Sequence, residues 1–272
     1  MAIRVAYDIS VLARSFQSPS DQSGVYRSIE ELLYALSKRD DLNLTAMGVC
    51  GDDLLLDSIY SSLYVKDRRA RLDCEFAEGF RSRLRLESLY RRFFEATLSK
   101  RETGSKRFLT AAYTRTITGL LYRLKYSYGI DKVSHVFDSS RYDVFHSPFL
   151  PFPPNDLIVD IPRILTVYDL IFVNNPEFMT RELTDLLKRV LDSVNIDRDW
   201  IACISQFTKE EFCEYTGMSA ERVSVTPLAA PNWFQPVEDA DKIAAVRRHY
   251  GIPEGHYFLR WPHFNRARIL RT

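Results

Sequence analysis

The sequence predicts an α/β fold: a parallel sheet with helices on both of its faces. Two observations carry that expectation. Short β-rich runs alternate along the chain with longer stretches whose apolar residues recur at a spacing of three to four, the mark of helices with one buried face. Strands separated by helices of that length are joined by right-handed crossovers and lie parallel, as in Rossmann-like domains. The composition, 46% hydrophobic and 27% charged over 272 residues, is enough to bury the core such a sheet needs.

The elements follow in order. Ile3–Ile9 reads as the first strand, and Ser15–Ser23, rich in Ser and Gln, as a polar loop. Val25–Ser37 places Ile29, Leu32, Leu33 and Leu36 on one helical face. Leu42–Val49 is a second strand and Leu54–Tyr64 a helix. Asp143–His146 ends a short strand, and Arg163–Val167 is a strand running into Tyr168-Asp169. Arg181–Val194 is a helix and Trp200–Ile204 a strand of buried type. Thr208, with Glu211 three residues on, has the spacing of a capping box opening the next helix. Arg222–Thr226 is a strand stopped by Pro227, and Ala240–His249 a charged helix before Gly251.

The middle of the chain departs from this alternation. Residues 81–136 read as a helical insertion, two long helices broken near Gly104. Between Arg81 and Lys125 twelve Lys/Arg stand against three acids, although the whole chain carries a net charge of only +1. That window reads either as a solvated helical hairpin packed by its own aromatics or as a face for anionic lipid. Nucleic acid is not an expected partner: no recognised motif accompanies the basic helices, and the aromatics fall at core-like spacing. The four cysteines, Cys50, Cys74, Cys203 and Cys213, show neither zinc-ligand nor C-x-x-C spacing, which suits reduced thiols in the cytoplasm. No signal peptide and no run of about 20 apolar residues is present, so the expected location is cytoplasmic, with a peripheral place on the inner face of the membrane open to the basic window.

No P-loop, nucleophile elbow, H-E-x-x-H or G-x-G-x-x-G occurs, which removes several enzyme classes and selects none. In a parallel sheet, ligands gather at the carboxyl ends of the strands. That rule directs attention to the loops after Asp8, His146, Asp169, Ser205 and Thr226. Gly24, Tyr26 and Arg27, in Ser23-Gly24-Val25-Tyr26-Arg27, could present backbone amides and a guanidinium to an anion, or form a plain turn. His146 at a strand end could meet a sugar hydroxyl or orient a base, or be a satisfied structural histidine. Asp169 could accept from hydroxyls or cap a loop, with Tyr168 beside it. Ser205 reads first as a cap.

Taken in order, these segments resemble the N-terminal domain of the retaining glycosyltransferases of family 4, the group 1 transferases, which have the GT-B fold. Ser23–Arg27 is similar to the family's Gly-Ile-Gly-Arg-Tyr-like loop without its first Gly-to-Gly spacing. Asp143–His146 matches a strand ending Asp-x-x-His. Tyr168-Asp169-Leu170 stands where the family has His-Asp-Leu. Ser205-Gln206-Phe207-Thr208-Lys209-Glu210 matches a Ser-x-Phe-Ser/Thr-Lys-Glu stretch, Val225-Thr226-Pro227-Leu228 a V-x-P-L strand end, and Tyr250-Gly251-Ile252-Pro253 the junction before the second domain.

The resemblance implies an acceptor-binding domain over residues 1–238, a linker helix and the start of a donor domain over 239–259, and a tail, 260–272, foreign to the pattern. His146 and Asp169 would be the catalytic pair facing a sugar or lipid-linked acceptor. Gly24, Tyr26, Arg27, Tyr168 and Ser205 would line the acceptor and diphosphate loops. The nucleotide-sugar donor would be a substrate; no cofactor and no metal is implied. The donor-holding Lys and paired Glu residues of the family have no counterpart in this sequence, so the chain by itself is expected to be inactive. Read one base back, the codons from Arg260 onward permit a string, L-A-P-L-Q-P-R-K-N-L-E-N, of the kind the family has there, so a frameshift after Leu259 is expected. The alternative is a stand-alone Rossmann-like module that binds a glycan or a partner without catalysis.

Overall fold

The computed structural model describes residues 2–17, 23–50, 54–78, 80–82, 116, 133–135, 137–153, 160–230 and 234–252. The chain forms two compact units, Met1–Leu228 and Ala229–Thr272.

The first unit is an α/β domain of Rossmann type. Its strands are β1 (Ile3–Asp8), β2 (Leu42–Met47), β3 (Glu75–Phe76), β6 (Val144–Ser147), β7 (Arg163–Val167), β8 (Trp200–Cys203) and β9 (Val223–Val225). They lie in the order β3-β2-β1-β6-β7-β8-β9, every neighbouring pair parallel. The chain therefore builds outward from β1 in one direction, then returns to β1 and builds outward in the other. The reversal lies between β1 and β6, and the carboxyl ends of those strands flank the crevice where such sheets bind ligands.

Strand register shows how the helices divide between the faces. Tyr7 stands opposite His146, and Ala6 opposite Phe145, so alternate residues point to opposite sides. Val5 and Tyr7 pack with Tyr26, Ile29 and Leu33 of α2 (Gly24–Ser37) and with Tyr64 and Val65 of α3 (Leu54–Arg68). Ala6, Phe145 and Leu165 belong to a second cluster, with Val190 and Leu191 of α5 (Arg181–Asp192) and Phe212 of α6 (Gln206–Thr216). Each outward run of strands thus sends its helices to a different face, as right-handed crossovers require.

Several elements differ from the sequence reading. The loop expected over Ser15–Ser23 begins later, because α1 (Ser10–Gln17) follows β1 at once. Ile9, Leu12 and Ala13 are buried at helical spacing and hold it in place. Gly24 is the first residue of α2, and Ser23 is its N-cap, accepting from the Tyr26 amide. Helix α6 starts at Gln206, not Thr208. Its cap is Ser205, whose Oγ takes the Thr208 amide at 3.0 Å, so Thr208 occupies the third helical position. The helix ends at Gly217 with φ +72°, a left-handed residue that suits glycine. Strand β3 has no signal in the sequence, being only two residues long.

Strands β4 (Phe80–Ser82) and β5 (Val133–His135) pair antiparallel, Phe80 opposite His135 and Ser82 opposite Val133. They meet at the two limits of the expected insertion. The two long helices expected there, and with them the basic window of 81–125 apart from Arg81, Ser82 and Thr116, lie outside the described residues.

Gly48, directly after β2, is a point of close approach. A Cβ there would fall 2.3 Å from Ser61 Oγ and 2.8 Å from the Asp57 carbonyl oxygen, so α3 packs straight onto the backbone. Gly48→Ala must push the helix away, an overpacking cost of about 1–3 kcal/mol. A lowered urea midpoint at unchanged slope will register it, and an unchanged midpoint would mean that α3 yields freely.

In the second unit α7 (Ala240–Tyr250) is capped at both ends. Asp239 accepts from the Asp241 and Lys242 amides. Gly251, at φ +62°, lets the Ile252 amide close on the Arg247 carbonyl at 2.9 Å.

Candidate functional site

The carboxyl ends of β1, β6, β7 and β8 are joined into one edge by a ring contact and by side-chain and backbone hydrogen bonds. Tyr7 packs edge-on against His146, ring centroids 5.0 Å apart. His146 Nε2 lies 2.9 Å from Thr166 Oγ1 on β7. Thr208 Oγ1 donates to the Tyr168 carbonyl at 3.3 Å, tying the end of β7 to the first turn of α6. The Ile204 amide donates to the Val167 carbonyl at 3.2 Å.

Each residue singled out from sequence has a definite place. Burial lowers the His146 pKa to about 4, so its ring is neutral at pH 7, and its bond to Thr166 meets part of its needs. Asp169 is half-buried and uses Oδ1 to accept from the Ile171 amide at 3.2 Å. That contact positions the start of α4 (Ile171–Asn174). Tyr168 is buried against Phe149, centroids 6.0 Å apart, and burial raises its pKa. Tyr168 is therefore a core aromatic. Ser205 is spent on its cap, with its hydroxyl also 2.9 Å from Thr208 Oγ1.

The first turn of α2 divides in the same way. Tyr26 is buried and donates to Glu30 Oε1 at 3.1 Å, which also accepts from Tyr64 at 2.7 Å. Burial, then the Glu30 charge, push Tyr26 up to about 12. It is a strut between α2 and α3 and offers no surface to a ligand. Arg27 is exposed and pairs with no acid among the described residues. Among the described residues Gly24 has nothing within 4 Å of where a Cβ would sit, so they leave the backbone there open to approach.

Sequence reasoning passed over Asp8 as a functional group. It ends β1, fully buried, at the reversal point of the sheet. Oδ1 accepts from Ser10 Oγ at 2.7 Å and from the Val49 amide at 3.1 Å, and Ser10 Oγ in turn accepts from the Cys50 amide at 3.2 Å. Among the described residues Asp8 Oδ2 has no hydrogen-bond partner, and neither has the buried Tyr7 hydroxyl. A carboxylate closing the apolar run Val5–Tyr7 of the strand was the available signal. No group of three or more His, Cys, Asp or Glu able to hold a metal ion occurs among the described residues. No helix among them is long and apolar enough to cross a membrane.

No protein-family model matches the chain, and no curated protein matches it. Among solved structures the chain is similar to a glycosyltransferase from Rickettsia africae, at 13% identity and a TM-score of 0.43 over 93% of this chain and 50% of that one. It is similar also to HepE from Anabaena in complex with UDP-glucose, at 11% identity and a TM-score of 0.40 over 92% of this chain and 50% of that one. The chain spans about half the length of these structures.

Proposed function

We propose that the chain is the acceptor-side domain of a retaining, nucleotide-sugar-dependent glycosyltransferase of the group 1 type. One observation carries the reading. The motif residues His146, Asp169 and Ser205 come in family order, and they fall at the carboxyl ends of three successive parallel strands, β6, β7 and β8. A cleft along that edge is where an acceptor would lie.

The chemistry asked of these residues is positioning. A neutral His146 can hydrogen-bond an acceptor hydroxyl without adding charge, and the Asp169 carboxylate can accept from hydroxyls. The open first turn of α2, with Arg27, offers donors to the departing diphosphate. Donor binding belongs to a second domain, and we place its coding frame one base out of register beyond Leu259.

Two measurements test this. The DNA beyond the Leu259 codon is expected to encode a second Rossmann-like domain in the shifted frame. The chain joined to that domain is expected to transfer radiolabelled sugar from a nucleotide-sugar, whereas the 272-residue chain alone shows no turnover. The proposal fails if no such frame exists, if the joined protein transfers nothing, or if the short chain turns over unaided.

A further inference from the structure

We propose that the rim at the ends of β7 and β8 is a pyranose platform. Phe207 stacks against the C–H face of a sugar ring, while the Asp169 carboxylate accepts hydrogen bonds from the ring's hydroxyls. The choice of a sugar rests on the glycosyltransferase reading; the geometry of the rim does not.

Phe207 is the second residue of α6 and is 67% exposed, and Ile171 at the start of α4 is 42% exposed. A phenylalanine at the second position of a helix does nothing for the helix itself. Acidic residues are favoured in the first turn, where they meet the positive end of the dipole, and α6 has none there. The exposed ring of Phe207 is accessible to a ligand at that place.

The rim is rigid. Thr208, next to Phe207, donates to the carbonyl of Tyr168, next to Asp169, so the two proposed ligand-binding residues flank a single hydrogen bond. Asn174, the last residue of α4, donates to Glu211 in the middle of α6, fastening the two helices to each other. The Ser205 cap fixes the first turn, and the Ile171 amide orients the Asp169 carboxylate through Oδ1. A preorganised rim loses little conformational entropy on binding.

The residue types select the ligand. A carboxylate on the rim repels phosphate, and among the described residues it belongs to no cluster of the several donors a metal ion needs. A ligand with hydroxyl donors on its edge and a C–H face on its flat side satisfies both groups. Its weakly positive C–H bonds meet the negative face of the ring.

The test uses the full 272-residue chain and two probes, methyl α-D-glucopyranoside and methyl α-D-mannopyranoside, in saturation-transfer NMR. Saturation is expected on the ring C–H protons of at least one glycoside. Phe207→Ala is expected to weaken that binding about three- to tenfold, the range of one aromatic contact, while Phe207→Trp retains it. Because Phe207 is exposed, thermal unfolding of both variants should match the parent, which separates lost binding from lost fold. Equal binding by Phe207→Ala overturns the platform, as does a parent chain that takes up neither glycoside. The transfer assay on the joined protein decides the glycosyltransferase reading separately.

Discussion

Asp199→Ala is expected to cost the fold about 3–5 kcal/mol, the range for breaking a buried ion pair from one side. Asp199 holds Arg163 with two parallel bonds, Nε to Oδ1 at 2.7 Å and Nη2 to Oδ2 at 2.6 Å. The side chains are 6% and 1% exposed. The Asn195 amide adds a third bond to Oδ2 at 2.7 Å, and the Phe152 ring lies 4.4 Å from the guanidinium carbon. Removing the carboxylate takes two charged hydrogen bonds from a buried guanidinium and frees the turn before β8. Urea unfolding will show a large fall in midpoint. The double replacement Arg163→Met with Asp199→Leu should recover most of the loss, since an apolar pair no longer bears the cost of desolvating two charges. A loss below about 1 kcal/mol for Asp199→Ala would mean that water reaches the pair and screens it.

This ion pair also shows what the sequence conceals. Arg163 opens β7 and Asp199 precedes β8, and either alone reads as a solvated charge at a strand end. Parallel pairing of Ile164 with Trp200 is what sets the two side by side, and no local pattern encodes that register. The strands and long helices were legible because periodicity is local. β7 and α2 lie within a residue of where the apolar spacing put them. The short α1 was missed because eight residues carry barely two turns of pattern. The capping box at Thr208 misled for a related reason: Ser205 and Thr208 both suit a cap, and only the backbone shows which is outside the helix. Of the site, strand ends were legible from the same periodicity, which located His146, Asp169 and Ser205. What each side chain does there was not. The resemblance puts Tyr26 and Tyr168 in the lining of the acceptor and diphosphate loops, yet both are core aromatics, their burial set by partners in distant segments.

The second large effect is a pH dependence of stability that belongs to Asp8. Burial, opposed in part by the bonds from Ser10 and Val49 and reinforced by the nearby Asp57 charge, raises its pKa from 3.8 to about 6. An acid raised on folding binds more protons in the folded than in the unfolded chain between those two values. Stability therefore falls as pH rises from about 4 to about 6 and is level above that window. The change is worth on the order of 3 kcal/mol. Asp8→Asn keeps an oxygen for the Ser10 and Val49 bonds and cannot ionise. The stability difference between parent and Asp8→Asn, from urea unfolding at successive pH values, should move by about 3 kcal/mol in favour of the variant between pH 4 and pH 7. Parallel curves would show that Asp8 ionises freely in the fold. The fold holds a buried carboxyl at the reversal point of its sheet, one oxygen without a hydrogen-bond partner among the described residues, against that cost. Its two accepted bonds explain the hold on the loop after β2, but an asparagine would supply those equally well. The ionisable oxygen is what asparagine lacks. If the variant gains stability and the joined enzyme loses transfer, the gain measures what the parent gives up to keep an acid beside the crevice.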